Sequence, residues 1–187
     1  EAWDETRISD LHVSVKNLDP DQADLEAQFM VLASKEARLD ARIYVDSVLT
    51  HEERLTLVPG ENLIALPLKI QHPVLWWPNG LGNQKIYRIK VVLGKGKETT
   101  DEAEITTGLR SLKLVQEPDS AGSGKSFYFE VNGVPVFTKG ANYIPNDVFL
   151  TRVTPDKYEY IVRSAAEANM NMLRVWGGGI YENGLFY

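Results

Sequence analysis

Between Thr6 and Gly108 apolar residues alternate with polar ones, as in Leu11, Val13, Val15, then Leu25, Ala27, Phe29, Val31, then Leu39, Ala41, Ile43, Val45. A period of two puts every second side chain on one face, so each run predicts a half-buried strand. Leu55 and Leu57, the Leu63 to Leu68 segment, the odd positions from Tyr87 to Leu93, and Ala103, Ile105, Thr107 continue the series. Turn clusters at Asp19-Pro20-Asp21, Pro59-Gly60-Glu61-Asn62, Asn79-Gly80 and Gly94-Lys95-Gly96 separate these runs. About seven short strands without an intervening helix predict an antiparallel β-sandwich of immunoglobulin type over residues 1–110. Because the chain has no Cys, no disulfide can bridge its sheets.

The pattern changes after Gly108. Leu112 and Leu114 predict one more strand, and the soft segment Glu117 to Gly124 completes a linker over 111–126. In the region 127–187, Phe127 to Val131 and Val134 to Thr138 flank Asn132-Gly133, a type I′ hairpin signal because both central residues need positive φ. The second arm is expected to run on into Lys139-Gly140-Ala141-Asn142. Thr154-Pro155 predicts a helix start, with Thr at the N-cap and Pro at the first helical position. Tyr158, Ile161, Val162 and Ala165 form its apolar stripe, and Asn169 a left-handed stop. In Asn171 to Trp176 the alternation puts Met172, Arg174 and Trp176 on one face and Leu173 and Val175 on the other. Strand, helix, strand is a βαβ unit that needs a parallel sheet around it.

Composition narrows the function classes. Twenty Lys and Arg against 26 Asp and Glu give a net charge of -6 with both signs dispersed, which disfavours nucleic-acid partners. No apolar run long enough to span a membrane occurs, and no basic-plus-apolar leader is present. The ends, Glu1-Ala2-Trp3 and Phe186-Tyr187, suggest a piece cut from a longer protein. With 187 residues the chain is too short for a complete eight-stranded α/β barrel of about 250 residues beside a sandwich. His12, His51 and His72 lie far apart without ligand spacing, so neither a metal nor another cofactor is expected.

The most informative stretch is Leu173-Arg174-Val175-Trp176-Gly177-Gly178-Gly179-Ile180-Tyr181-Glu182. It puts charge and aromatic surface at the carboxyl end of a strand, where parallel α/β folds build their sites. An Arg paired to a core carboxylate and a Trp filling a core layer is the competing reading of the same spacing. A phosphate loop fits less well, because the G-x-G-x-x-G spacing is missing. Trp76-Trp77 reads as packing, with a carbohydrate-stacking platform as the alternative.

Gly140-Ala141-Asn142-Tyr143-Ile144-Pro145, Arg152-Val153-Thr154 and Ala168 through Glu182 together resemble glycoside hydrolase family 2, in its β-mannosidase branch. Trp76 to Gln84 and Thr107-Gly108-Leu109-Arg110 resemble the end of that family's central sandwich. One feature favours that branch over its relatives and one departs from it. Val175-Trp176-Gly177 stands where β-galactosidase relatives place Ser and His, and Tyr143 stands where the branch usually carries Trp.

The resemblance implies a mainly β chain: an immunoglobulin-like β-sandwich followed by the first βαβ elements of a truncated TIM barrel. It implies a retaining exo-hydrolase of terminal β-D-mannose, acting on a β-mannoside oligosaccharide or glycoconjugate, with both catalytic carboxylates beyond Tyr187 and none in this chain. By the same resemblance Arg174 sits under the nucleophile, Trp176 walls the sugar site, and Asn142 and Tyr143 line its lip. Glu182 and Asp147 read as solvated or structural. Alternatives are another family 2 glycosidase, β-galactosidase-like or exo-glucosaminidase-like, and a non-catalytic carbohydrate-binding or structural sandwich. The resemblance allows a bacterial periplasm or cytoplasm, or a lysosome, and the incomplete barrel is expected to self-associate or to fold back on the sandwich.

Overall fold

The computed structural model describes residues 3, 5–120 and 122–187, so the expectations for Glu1-Ala2 and for Ala121 in the soft segment lie outside the described residues. The chain divides into two compact units, Glu1–Trp76 with Lys85–Arg110, and Trp77–Gln84 with Ser111–Tyr187. Among the described residues the first unit holds seven strands: β1 (Thr6–Leu18), β2 (Gln22–Ala33), β3 (Ala37–Val45), β4 (Val48–Leu57), β5 (Gly60–Gln71), β6 (Tyr87–Lys95) and β7 (Glu98–Thr107). They pair antiparallel into two sheets, ordered β1-β2-β5 and β4-β3-β6-β7. The expected sandwich of seven strands is therefore present.

Its core comes directly from the alternation. Along β2 buried and half-buried residues alternate without a break, and Phe29 is 1% exposed. Ala41, Ile43, Ile89, Val91 and Leu93 answer from β3 and β6, all buried. Each large apolar side chain so placed contributes about 1.5–3 kcal/mol through removal from water.

Two details depart from the simple period. Val15 is 39% exposed although it faces Leu25 across the ladder, and a register shift follows it between Val15 and Asn17. The run ending in Leu55 and Leu57 is a longer strand that begins at Val48, after a turn at Asp46-Ser47 with φ of 47° and 74°. Asp46 tolerates that conformation because its carboxylate is held: Arg88 N–H donates to Oδ1 at 2.9 Å and Lys85 Nζ to Oδ2 at 2.5 Å.

The second unit contains a three-stranded antiparallel sheet, β10-β9-β8, built from β8 (Leu112–Val115), β9 (Tyr128–Val131) and β10 (Val134–Val136). Asn132 (φ 52°) and Gly133 (φ 76°) make the expected turn. The soft segment is tied across its base, where Glu117 N–H donates to Ser126 Oγ and Ser126 N–H to the Glu117 carbonyl.

The second hairpin arm does not run on as expected. It stops at Val136, and β11 (Gly140–Tyr143) pairs parallel with β12 (Met172–Val175) instead. The Asn171 side chain explains the break: Oδ1 accepts from Lys139 N–H at 2.8 Å and Nδ2 donates to the Phe137 carbonyl at 3.0 Å. These bonds replace a ladder partner, so the chain can turn between sheets without orphaned backbone groups.

Helix α1 (Pro155–Glu167) joins β11 to β12, which completes one βαβ unit. Pro155 is its first residue and Thr154 its N-cap, although the Thr154 side chain makes no capping bond. Asn169 (φ 58°) follows its end. From the loop before β6, Asn79 Nδ2 donates to the carbonyls of Ala166 and Met170, fastening that loop to the chain around the helix end. Of the predicted stripe, Tyr158 is buried, Ile161 and Ala165 are half-buried, and Val162 is exposed. No helix among the described residues is long and apolar enough to cross a membrane.

Candidate functional site

β11 and β12 lie side by side and end together, in the register Gly140↔Met172, Asn142↔Arg174 and Tyr143↔Val175. The close approach requires Gly140, where a Cβ would meet the Met172 carbonyl oxygen at 2.0 Å. Paired residues of a parallel ladder share a face, so Asn142 and Arg174 stand on one side and Tyr143 and Val175 on the other.

On the first side Arg174 is exposed, and its Nη1 donates to Asn142 Oδ1 at 3.1 Å. Among the described residues Arg174 pairs with no carboxylate, and its bond is to a neutral amide oxygen. The guanidinium keeps donors free for an acceptor. Trp176 follows, 44% exposed, with its N–H bonded to the Tyr143 carbonyl at 2.8 Å. Its indole lies over the glycine run: a Cβ on Gly178 would come within 2.6 Å of Trp176 Cη2, and one on Gly179 within 3.0 Å of Pro145 Cγ. Gly178, lacking a side chain, therefore lets the indole approach the loop backbone closely. An exposed guanidinium with free donors and an exposed indole two residues on suit a polyhydroxylated ring with a charged neighbour.

On the second side the arrangement is closed. Tyr143, expected at the lip, is 6% exposed and stacks on Phe186 with ring centroids 4.7 Å apart. Its hydroxyl donates to Glu182 Oε1 at 2.8 Å, while the Tyr158 hydroxyl donates to Oε2 at 2.6 Å. Glu182 is itself 6% exposed, so of the two descriptions expected for it, solvated or structural, the structure selects the second. Burial raises the Tyr143 hydroxyl pKa well above the usual phenol value, and the bond to Glu182 adds to the effect. Tyr158 is raised chiefly by its bond to Glu182. Both phenols therefore stay protonated donors, each occupying one oxygen of the carboxylate.

Asp147 is also local in its bonding. Oδ1 accepts from Phe149 N–H at 2.8 Å, and Oδ2 lies 3.7 Å from Arg152 Nη1. No cluster of three His, Cys, Asp or Glu that could hold a metal ion occurs among the described residues.

The Trp pair is engaged in packing. The Arg110 guanidinium lies 4.7 Å from the Trp76 ring centroid, and a Cβ on Gly108 would press on that ring at 2.7 Å. Trp77 is likewise half-buried, with Gly82 against its ring. Both indoles are half-buried against these neighbours, as the packing reading expects. Sequence spacing brought forward Arg174 and Trp176 and the family resemblance added Asn142, but both missed Tyr158 and Phe186 as site residues, whose partners lie 24 and more residues away or across the helix.

The description "Glycosyl hydrolases family 2" matches residues 6–110. A beta-mannosidase of Rattus norvegicus is 37% identical over 168 residues, covering 88% of this chain and 19% of that protein. Beta-mannosidase B of Emericella nidulans is 44% identical over 126 residues, covering 67% of this chain and 15% of its own length. The solved structure of the beta-D-mannosidase from Dictyoglomus thermophilum superposes with a TM-score of 0.89 at 37% identity, over 100% of this chain and 23% of that one. The Amycolatopsis orientalis exo-chitosanase CsxA, at 22% identity and a TM-score of 0.80, shares the fold. The chain thus spans about a fifth of the length of the curated relatives it matches.

Proposed function

Because the chain belongs to glycosyl hydrolase family 2, we propose that it works within a longer retaining exo-β-mannosidase, which removes terminal β-D-mannose from an oligosaccharide or glycoconjugate. One observation carries the reading: the full length of the chain superposes at 37% identity on a beta-D-mannosidase, across both of its units. In this proposal β11, α1 and β12 open a TIM barrel, and the ends of β11 and β12 form one sector of the sugar site.

Retaining hydrolysis needs two carboxyl groups about 5–5.5 Å apart across the glycosidic bond, one as nucleophile and one as acid/base. Glu182 does not fit either role, since both of its oxygens are occupied by phenols and it lies on the face away from Arg174. The proposal therefore takes the pair from residues outside these 187. Arg174 would hold the nucleophile ionised through charge-assisted hydrogen bonds, with Asn142 Oδ1 fixing the guanidinium. Trp176 would present an apolar wall to the sugar ring. Tyr143 would act from behind the strand, by setting the height at which Trp176 leaves it.

The test compares the 187-residue chain with the longer protein on an aryl β-mannoside. The chain alone should show background release, and the longer protein turnover. Turnover by the isolated chain that disappears in Glu182→Gln would show that the carboxylates have been misplaced.

A further inference from the structure

We propose that Glu182 is a positioning residue: by accepting from Tyr143 and Tyr158 together, it holds the loop from Trp176 to Tyr187 against β11 and α1 and so sets the plane of the Trp176 indole. The proposal rests on the reading of Trp176 as part of the sugar site.

Three observations lead there. First, a buried carboxylate is costly unless its oxygens are satisfied, and here each oxygen takes one phenol hydroxyl, at 2.8 and 2.6 Å. Second, the two donors come from separate elements, the end of β11 and the first turn of α1, so one side chain ties three segments. Third, the loop it anchors has little else to hold it. Ile180, Tyr181 and Leu185 are 53%, 84% and 63% exposed, while three consecutive glycines give the backbone freedom. Beyond Glu182 the loop is held by the Asn183 N–H, which bonds the Tyr158 hydroxyl, and by Phe186, which stacks on Tyr143 and lies 5.5 Å from Tyr158, within the same cluster. Since the indole rests on Gly178, whatever fixes the loop fixes the ring.

Glu182→Gln keeps the shape but removes the charge and gives one phenol a donor to face. Tyr158→Phe keeps the ring and removes one of the two bonds to Glu182 together with the bond from the Asn183 N–H, and it serves if Glu182→Gln does not fold. Hydrogen exchange is read on the 187-residue chain, and steady-state kinetics on the longer protein with an aryl β-mannoside. Amides of 177–187 should exchange about tenfold faster in Glu182→Gln, and less so in Tyr158→Phe, while those of β6 stay as they were. KM should rise about tenfold with kcat within about threefold, since a misplaced wall weakens binding more than it alters the reacting groups. Unchanged exchange of 177–187 in both variants overturns the proposal, whatever the kinetics. Faster exchange with an unmoved KM supports the lock and removes Trp176 from the sugar site, so the two readings fail separately.

Discussion

Arg174→Lys separates a functional arginine from a structural one, because the two readings predict opposite pairs of results. The residue is exposed, and its bond is to a neutral amide, Asn142 Oδ1, at 3.1 Å. A bond of that kind contributes about 0.5–1.5 kcal/mol net, and the lower end applies at an exposed site. For a chain of this size about 1 kcal/mol moves Tm by about 2–4 °C, so thermal unfolding of the 187-residue chain should shift by no more than about 4 °C. Catalysis should respond far more. Lys keeps the charge but loses the planar fork that can grip a carboxylate with two parallel bonds. Loss of one preorganised donor to a reacting group costs about 100-fold in rate, or about 2.7 kcal/mol of transition-state stabilisation. With weaker support the nucleophile's pKa rises, so the acid limb of the rate profile should move up by about one pH unit. The assay is kcat and its pH profile on an aryl β-mannoside in the longer protein, beside a thermal melt of the chain. Wild-type kinetics with a melt lowered by more than about 8 °C would return Arg174 to a purely structural role.

Phe29→Ala in the sandwich core should cost about 3–5 kcal/mol in urea unfolding, because Phe29 is 1% exposed and its void cannot collapse, whereas Val48→Ala, at 67% exposure, should stay within about 0.5 kcal/mol. The two raised phenols predict an alkaline weakness. A group whose pKa is higher when folded contributes stability that is complete below its unfolded pKa, about 10 for Tyr, and is lost as pH rises toward the folded value. Unfolding of the second unit should therefore become easier above about pH 10, and Tyr143→Phe should flatten that decline, as followed by urea melts between about pH 8 and 11. Identical slopes in the two proteins would refute the assigned bonding.

The sandwich was legible because its signal is local. The run from Leu25 to Val31 can be buried on one face only as a strand, and the structure buries each of those odd positions. The Asp46-Ser47 turn was hidden since nothing in the dipeptide announces positive φ; its support comes from Arg88 and Lys85, about forty residues later. The break between β10 and β11 was hidden for the same reason, because Asn171 supplies the bonds that release the strand. At the site, alternation put Arg174 on the face of β12 that Asn142 shares, whereas Trp176 lies one residue beyond the strand with its indole against Gly178. Taking Asn142 and Tyr143 together as lip residues overlooked the same alternation one strand earlier. The burial of Glu182 depends on two tyrosines 39 and 24 residues before it, a coincidence of packing that no spacing rule reports.

The most direct measurement of the central claim is the anomeric course of hydrolysis by the longer protein, followed by NMR on matched aryl β-mannoside, β-galactoside and β-glucosaminide. The account predicts that the mannoside is preferred and that β-mannose is the first product, before mutarotation. First-formed α-mannose, or preference for either of the other two sugars, would contradict it.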